Sequence, residues 1–178
     1  LPGWSEGWVS VQDLAAQRAA PLLLQGLAWP AGRALRVLDA CAAPGGKTAH
    51  LLECASAQQP MALTALDVDA TRCARITDTL QRLHLHAQVL CADAARPHDW
   101  FATHCASQPF DAIVLDAPCT ASGIVPRHPH VRWLRRPSDV AQLAAIQAQL
   151  LDALWPLLAP GGRLLYCTCS VFRAEGDE

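Results

Sequence analysis

Leu35-Arg-Val-Leu-Asp39-Ala-Cys-Ala-Ala-Pro-Gly-Gly-Lys-Thr48 is a short apolar run ending in Asp, then a loop of small residues. The run has the pattern of a buried strand, and the Pro/Gly loop leads into a helix predicted over Lys47 to Cys54. Small residues let the backbone approach a ligand, and the helix that follows offers free N–H groups. The unit recurs outward from here. Met61 to Asp67 is a second apolar strand ending in Asp, and Asp69 caps a helix predicted to Leu83. Ala87 to Cys91 is a third strand, followed by Asp93, and Phe110 to Leu115 a fourth, followed by Asp116. A long helix is predicted over Ser138 to Leu158, with Ser138 and Asp139 at its start. Pro160-Gly161-Gly162 is a turn, and Arg163 to Tyr166 a fifth strand that runs into Cys167-Thr-Cys169. Upstream, Ser10 to Gly26 is predicted as a helix capped by Ser10 and kinked at Pro21.

Apolar strands alternating with helices imply an α/β fold, a mostly parallel sheet with helices on both faces. Ligands bind such sheets outside the carboxyl ends of the strands. Asp39, Asp67, Asp93, Asp116 and Cys169 all fall there, so five polar groups are expected in one cleft. Each Asp alone also fits as a cap for the next helix. A P-loop is a poor match, because its first glycine falls at Cys41. The dinucleotide pattern of three spaced glycines is absent. Asp67 suits ribose hydroxyls and Asp93 an adenine amino group, so the cleft is predicted to hold a nucleoside-bearing cofactor without a required phosphate site.

The chain has 178 residues, 52% of them hydrophobic and 17% charged, enough for the core of one domain. Its 14 Lys and Arg against 16 Asp and Glu exclude a protein that grips nucleic acid over its whole surface. No apolar run approaches the roughly eighteen residues of a membrane span, and the first residues carry no secretory pattern. The eight cysteines are therefore expected as reduced thiols in a cytoplasmic protein, and no metal site is expected. The one basic cluster is Arg127-His-Pro-His-Val-Arg-Trp-Leu-Arg-Arg136. It suits local phosphate contact, with Trp133 either stacking on a base or packing on the core.

Taken with these segments, the chain resembles the S-adenosylmethionine-dependent RNA cytosine-5 methyltransferases, and within them the bacterial small-subunit rRNA enzymes of the RsmB (Sun/Fmu) type. The matching stretches are Val11-Gln-Asp13, Asp39 to Thr48, Asp67-Val-Asp69 with Arg72, Asp116-Ala-Pro-Cys-Thr-Ala-Ser-Gly123, Arg127 to Arg136, and Tyr166-Cys-Thr-Cys-Ser-Val171. They run through nearly the whole chain in family order. The resemblance implies a Rossmann-like methyltransferase fold over residues 1–178 and S-adenosylmethionine as cofactor. It implies cofactor contacts from Cys41, Ala42, Ala43, Pro44, Gly45, Gly46, Lys47, Asp67, Asp93 and Asp116. It implies RNA contacts from Arg127, His128, Arg132, Arg135 and Arg136, with 16S rRNA or its small-subunit precursor as partner and a monomeric enzyme.

The family's reaction needs a thiolate that adds to C6 of cytosine, so that C5 can accept a methyl group. By the resemblance Cys169 is that nucleophile, Cys119 assists product release, and Asp116 faces the cytosine and the cofactor's reactive end. Cys167 is expected on the opposite face of its strand, in the core. Family members usually carry an N-terminal RNA-binding domain and further sheet strands, so this chain is expected to be the catalytic domain without its last edge strands. A tRNA substrate, and a cofactor- or RNA-binding module without catalysis, stay open as alternatives. Gln12 and Asp13 match a family segment to which no chemistry is assigned.

Overall fold

The computed structural model describes residues 1–176; Asp177 and Glu178 of the expected 1–178 domain lie outside the described residues. Five parallel strands form one sheet: β1 Leu35–Ala40, β2 Met61–Asp67, β3 Gln88–Cys91, β4 Phe110–Asp116 and β5 Leu158–Cys167, in the order β3-β2-β1-β4-β5. The helices are α1 Ala19–Leu24, α2 Gly46–Glu53, α3 Ala70–Arg82, α4 Phe101–Cys105, α5 Val131–Leu134 and α6 Pro137–Leu154. Strand alternation builds two cores. Leu35, Val37, Leu63, Ala65 and Val114 face one way, with Leu23 of α1, Leu51 of α2 and Ile76 of α3. Leu38, Ala40, Leu66, Ile113 and Leu115 face the other, with Trp100, Leu150 and Leu154. Each buried leucine or isoleucine contributes about 1.5–3 kcal/mol. The strand order reverses between β1 and β4, and that reversal opens a crevice at the strands' carboxyl ends.

Several elements depart from the sequence-based expectation. The helix predicted over Ser10 to Gly26 shrinks to α1, preceded by a single 3-10 turn at Ala16–Arg18. Pro21 is the cause: its ring would strike the carbonyl of Gln17 in a continuous helix, whereas in the first turn of α1 its missing N–H costs nothing. Ser10 caps no helix. α6 begins one residue earlier than expected, with the Asp139 carboxylate accepting from the Arg136 N–H at 2.9 Å, and ends at Leu154 because Pro156 follows. Pro160-Gly161-Gly162 lies inside β5 rather than before it. Between the pairs Phe110/Leu158 and Ala112/Arg163, β4 advances two residues while β5 advances five. A Cβ at Gly162 would lie 2.9 Å from the Ala159 carbonyl and 3.0 Å from that of Asp111, so this irregularity requires glycine. The short helices α4 and α5 were not expected. The N-terminal segment folds back over the end of α3, where Arg82 donates to the carbonyls of Trp4 and Val9 at 2.9 and 3.0 Å.

Candidate active site

A cleft of about 500 Å³ opens at the carboxyl ends of the strands. Asp67 from β2 and Asp93 after β3 stand on one side, and Asp116 at the end of β4, with Cys119 and Cys169 from the loops after β4 and β5, on the other. Another groove, of about 540 Å³, lies at the opposite end of β2 between Arg36, Met61 and His104. It has no carboxylate on its walls and no thiol pair, so the chemistry resides in the first.

Asp67 is buried. Its Oδ2 accepts from the Ala43 N–H at 3.3 Å and lies 3.4 Å from Arg72 Nη2, and its Oδ1 accepts from the Asp69 N–H at 3.2 Å. These contacts fix the carboxylate at the cleft wall. Asp93 accepts from the Ala95 N–H at 2.9 Å, and its carbonyl receives the indole N–H of Trp100 at 3.0 Å. Apolar walls from Leu66, Val68 and Ala94 lie between the two acids. A polar edge carried on an apolar slot suits a nucleoside.

The small-residue loop divides its work. Cys41 and Ala43 line the cleft. Ala42 is buried, and its N–H donates to the Leu66 carbonyl at 2.9 Å. The Pro44 carbonyl accepts from the Thr79 hydroxyl at 2.7 Å, Gly45 packs on Ile76 of α3, and Gly46 faces Gln12. Lys47 turns to Asp116, with Nζ 2.6 Å from Oδ2. Burial lowers the Lys47 pKa, but the Asp116 carboxylate outweighs it and holds the ammonium above its ordinary value. Of the seven loop residues expected at the cofactor, only Cys41 and Ala43 reach the cleft wall.

Asp39 does not join the cleft, contrary to expectation. It is fully buried on the α2 side of β1, where its Oδ2 accepts from the Thr48 hydroxyl at 2.6 Å. Burial pushes its pKa up to about 7. Asp39 ties the strand to the start of α2 and so shapes the loop from beneath.

The sulfur atoms of Cys119 and Cys169 are 3.3 Å apart. Two thiols this close share a proton: the first to ionise is stabilised by the S–H of the other, and the second is opposed by the charge already present. The bond from Cys169 lowers the Cys119 pKa to about 6 against burial, with the N–H groups of Ala121 and Cys169 assisting. Cys169 is correspondingly raised, by the same contact and by burial. Burial also pushes Cys41 up to about 12 and Cys167 to about 11, so neither is a thiolate near neutral pH. Cys167 packs against the core, as expected. All eight cysteines are free.

Bonds between the two cysteine loops hold this pair. The Gly123 N–H donates to the Cys169 carbonyl at 2.8 Å, and the Val171 N–H to the Ser122 hydroxyl at 2.9 Å. A Cβ at Gly123 would lie 2.7 Å from that same carbonyl oxygen, so only glycine permits the approach.

The basic segment lies beside these loops, and its members differ in availability. Arg127 pairs with Asp13, which gives Asp13 a place: it pins the N-terminal segment to the basic loop. Arg135 Nε donates to the Thr120 carbonyl at 2.8 Å. Arg132 lies over the Trp133 ring at 5.0 Å, and His128 meets His130 edge to face at 5.7 Å. Trp133 is 79% exposed, which rules out a core role, and the Arg132 and Arg136 side chains are exposed too. Sequence reasoning missed the Lys47–Asp116 and Asp13–Arg127 pairs and Glu175, which is buried beneath the cysteine loops. Lys47 being the only lysine of the chain was the one available signal.

Among the described residues no helix is long and apolar enough to cross a membrane. A family model described as 16S rRNA methyltransferase RsmB/F matches residues 30–178. The ribosomal RNA small subunit methyltransferase B of Vibrio cholerae is 52% identical over 175 residues, 98% of this chain and 37% of that protein. Its namesake in Proteus mirabilis is 48% identical over 178 residues, 100% of this chain and 39% of that protein. The chain thus spans under two-fifths of the length of these curated relatives. Among solved structures, PH0851 superposes with a TM-score of 0.85 at 34% identity, over 98% of this chain and 37% of that one. NSun6 from Pyrococcus horikoshii with SFG does so with a TM-score of 0.79 at 26% identity, over 98% and 41%.

Proposed function

Because the chain belongs to the 16S rRNA methyltransferase RsmB/F family, we propose that it is the catalytic part of an enzyme that methylates C5 of a cytosine in small-subunit rRNA through a covalent cysteine adduct. The observation that carries this reading is the thiol pair, 3.3 Å apart, at the edge of the cleft that also holds Asp67 and Asp93. The carboxylate pair on an apolar slot fits S-adenosylmethionine: Asp67 takes the ribose end and Asp93 the adenine end. When bound, the cofactor supplies an electrophilic methyl group on a sulfonium.

The chain's own residues do the rest. Cys169 is the more exposed of the two thiols and adds to C6 of the cytosine. At rest it holds the shared proton, so the Cys119 thiolate takes that proton as Cys169 attacks. The ring becomes electron-rich at C5 and gains the methyl group; water at the open cleft then carries the C5 proton to solvent, and Cys169 leaves C6 as a thiolate. Cys119, now a thiol beside it, returns the proton and closes the cycle. Asp116, held by Lys47, faces the base. The target base must leave its stack to reach the pair, and the exposed Trp133 offers a stacking surface beside the cleft. All four arginines of the segment are exposed, but Arg127 is paired with Asp13 and Arg135 is bonded to the Thr120 carbonyl, which leaves Arg132 and Arg136 for phosphate contact, with the exposed His128 in the same segment.

The test is covalent trapping with small-subunit rRNA carrying 5-fluorocytosine, using the full natural protein and S-adenosylmethionine. Fluorine at C5 blocks proton loss, so the adduct persists and its peptide is mapped by mass spectrometry. Nucleotide on Cys169 is the expected result. Nucleotide on Cys119, which carries the charge at rest, would reverse the two roles. No adduct from a protein that still binds the cofactor would refute covalent catalysis on this RNA.

A further inference from the structure

Glu175 lies outside every sequence motif described above, yet its side chain is 1% exposed. Both carboxylate oxygens are engaged. Oε1 accepts from the Thr120 N–H at 2.8 Å and from Gln147 Nε2 at 3.3 Å. Oε2 accepts from the hydroxyls of Thr120 and Ser170, each at 2.5 Å. Thr120 follows Cys119, and Ser170 follows Cys169. One carboxylate therefore grips the residue next to each sulfur, across fifty positions of sequence. Its own backbone is held in turn, because the Tyr166 hydroxyl donates to the Glu175 carbonyl at 2.9 Å. An ionised carboxylate has about four acceptor positions, and four donors meet it here. Burial opposes its charge, but the Ser170, Thr120 and Gln147 donors hold its pKa below the ordinary value.

The hydroxyls explain why a carboxylate is needed. Thr120, Ser122 and Ser170 oxygens lie 3.1–3.3 Å from one another. Three hydroxyls alone can point their protons in several ways. An anion beside them draws the Thr120 and Ser170 protons to itself and leaves the Ser122 oxygen to accept from Val171. Only the Ser122 proton then keeps a choice, between the Thr120 and Ser170 oxygens, and the two loops are tied through the same anion.

We infer that Glu175 is a positioning residue that clamps the Cys119 loop to the Cys169 loop and sets the distance between the two sulfurs. The consequence for catalysis rests on the reaction proposed above; the clamp itself does not. The test uses the full natural protein with Glu175→Gln and Ser170→Ala. Glu175→Gln keeps the shape but turns a donor toward the hydroxyls, and Ser170→Ala removes one strand of the clamp. Two readouts are taken. The first is the rate at which the azo oxidant diamide joins Cys119 and Cys169, taking up both thiol protons and two electrons as its N=N bond is reduced to the hydrazine. The second is kcat and KM for S-adenosylmethionine. In Glu175→Gln both bridge closure and kcat fall by about tenfold or more, while KM stays within about twofold, because the acids of the cofactor side are untouched. Ser170→Ala shifts both in the same direction by less. A role in fold stability alone predicts a lower melting temperature with unchanged closure, and that outcome overturns the clamp. Should Glu175→Gln fail to fold, Ser170→Ala decides: unchanged closure and kcat overturn the proposal. Slowed closure in a protein whose unaltered form transfers no methyl group supports the clamp and refutes the reaction.

Discussion

Cys119 and Cys169 hold one proton between them, and that has a visible pH signature. The thiolate is the form that reacts with an alkylating reagent. Alkylation of Cys119 by iodoacetamide is therefore expected to rise through about pH 6 and level off above it. In Cys169→Ala the rise moves up toward 9.0, the ordinary thiol value, because the S–H donor is gone. Peptide-resolved mass spectrometry across pH checks this, and an unmoved profile in the variant would refute proton sharing. Asp39 gives the second residue-level expectation. Its pKa is about 7 in the fold against 3.8 ordinarily, so the native state keeps a proton that the unfolded chain releases. Stability from this group is complete at low pH and lost as pH rises from about 4 through 7, at no more than about 1.4 kcal/mol per pH unit. Asp39→Asn removes that dependence. Urea unfolding at about pH 5 and about pH 8 should show a smaller loss in the variant than in the unaltered protein.

Among the elements, the turn after β4 is the most sensitive to a single atom. Gly123→Ala places a Cβ against the Cys169 carbonyl, so kcat should fall by about tenfold or more while the melting temperature changes little. At α3, Asp69 accepts from the Arg72 N–H at 2.9 Å, and Asp69→Ala should cost about 1 kcal/mol in urea unfolding. That helix was legible because its cap and its period are local, and β1, β2 and β4 were legible as apolar runs ending in Asp. What escaped the sequence depends on distant partners. Pro160-Gly161-Gly162 has the composition of a turn, and only its register against β4 makes it part of a strand. Asp39 and Asp67 end like strands in like fashion, but one is sealed under α2 and the other opens to the cleft. Glu175 was not legible because, although Ser170 is only five residues away, its burial depends on Thr120, 55 residues away, and on Gln147.

For the molecule as a whole, a net charge of -2 excludes an overall electrostatic grip on RNA, so on the function proposed above the attraction is expected at local clusters such as the basic segment. Replacing Arg132 and Arg136 together with Gln should lower the slope of log affinity against log salt by about 1.4, at roughly 0.7 per phosphate on single-stranded RNA. Filter binding over a salt series measures it, and an unchanged slope would remove these residues from the interface. The cleft also has a division that follows the order of the chain. Its walls from Cys41 to Ala95 carry Asp67 and Asp93, and those from Asp116 to Cys169 carry the two thiols. Phe110, where β4 begins, separates the two. On the function proposed above, the half before it is an exchangeable cofactor holder and the half after it decides what is done to the acceptor. A lineage can therefore acquire a new target chemistry by rewriting the second half alone, and a chimera joined just before Phe110 would repeat that step in the laboratory. Lys47–Asp116 spans the seam, so it is the joint any such exchange must keep.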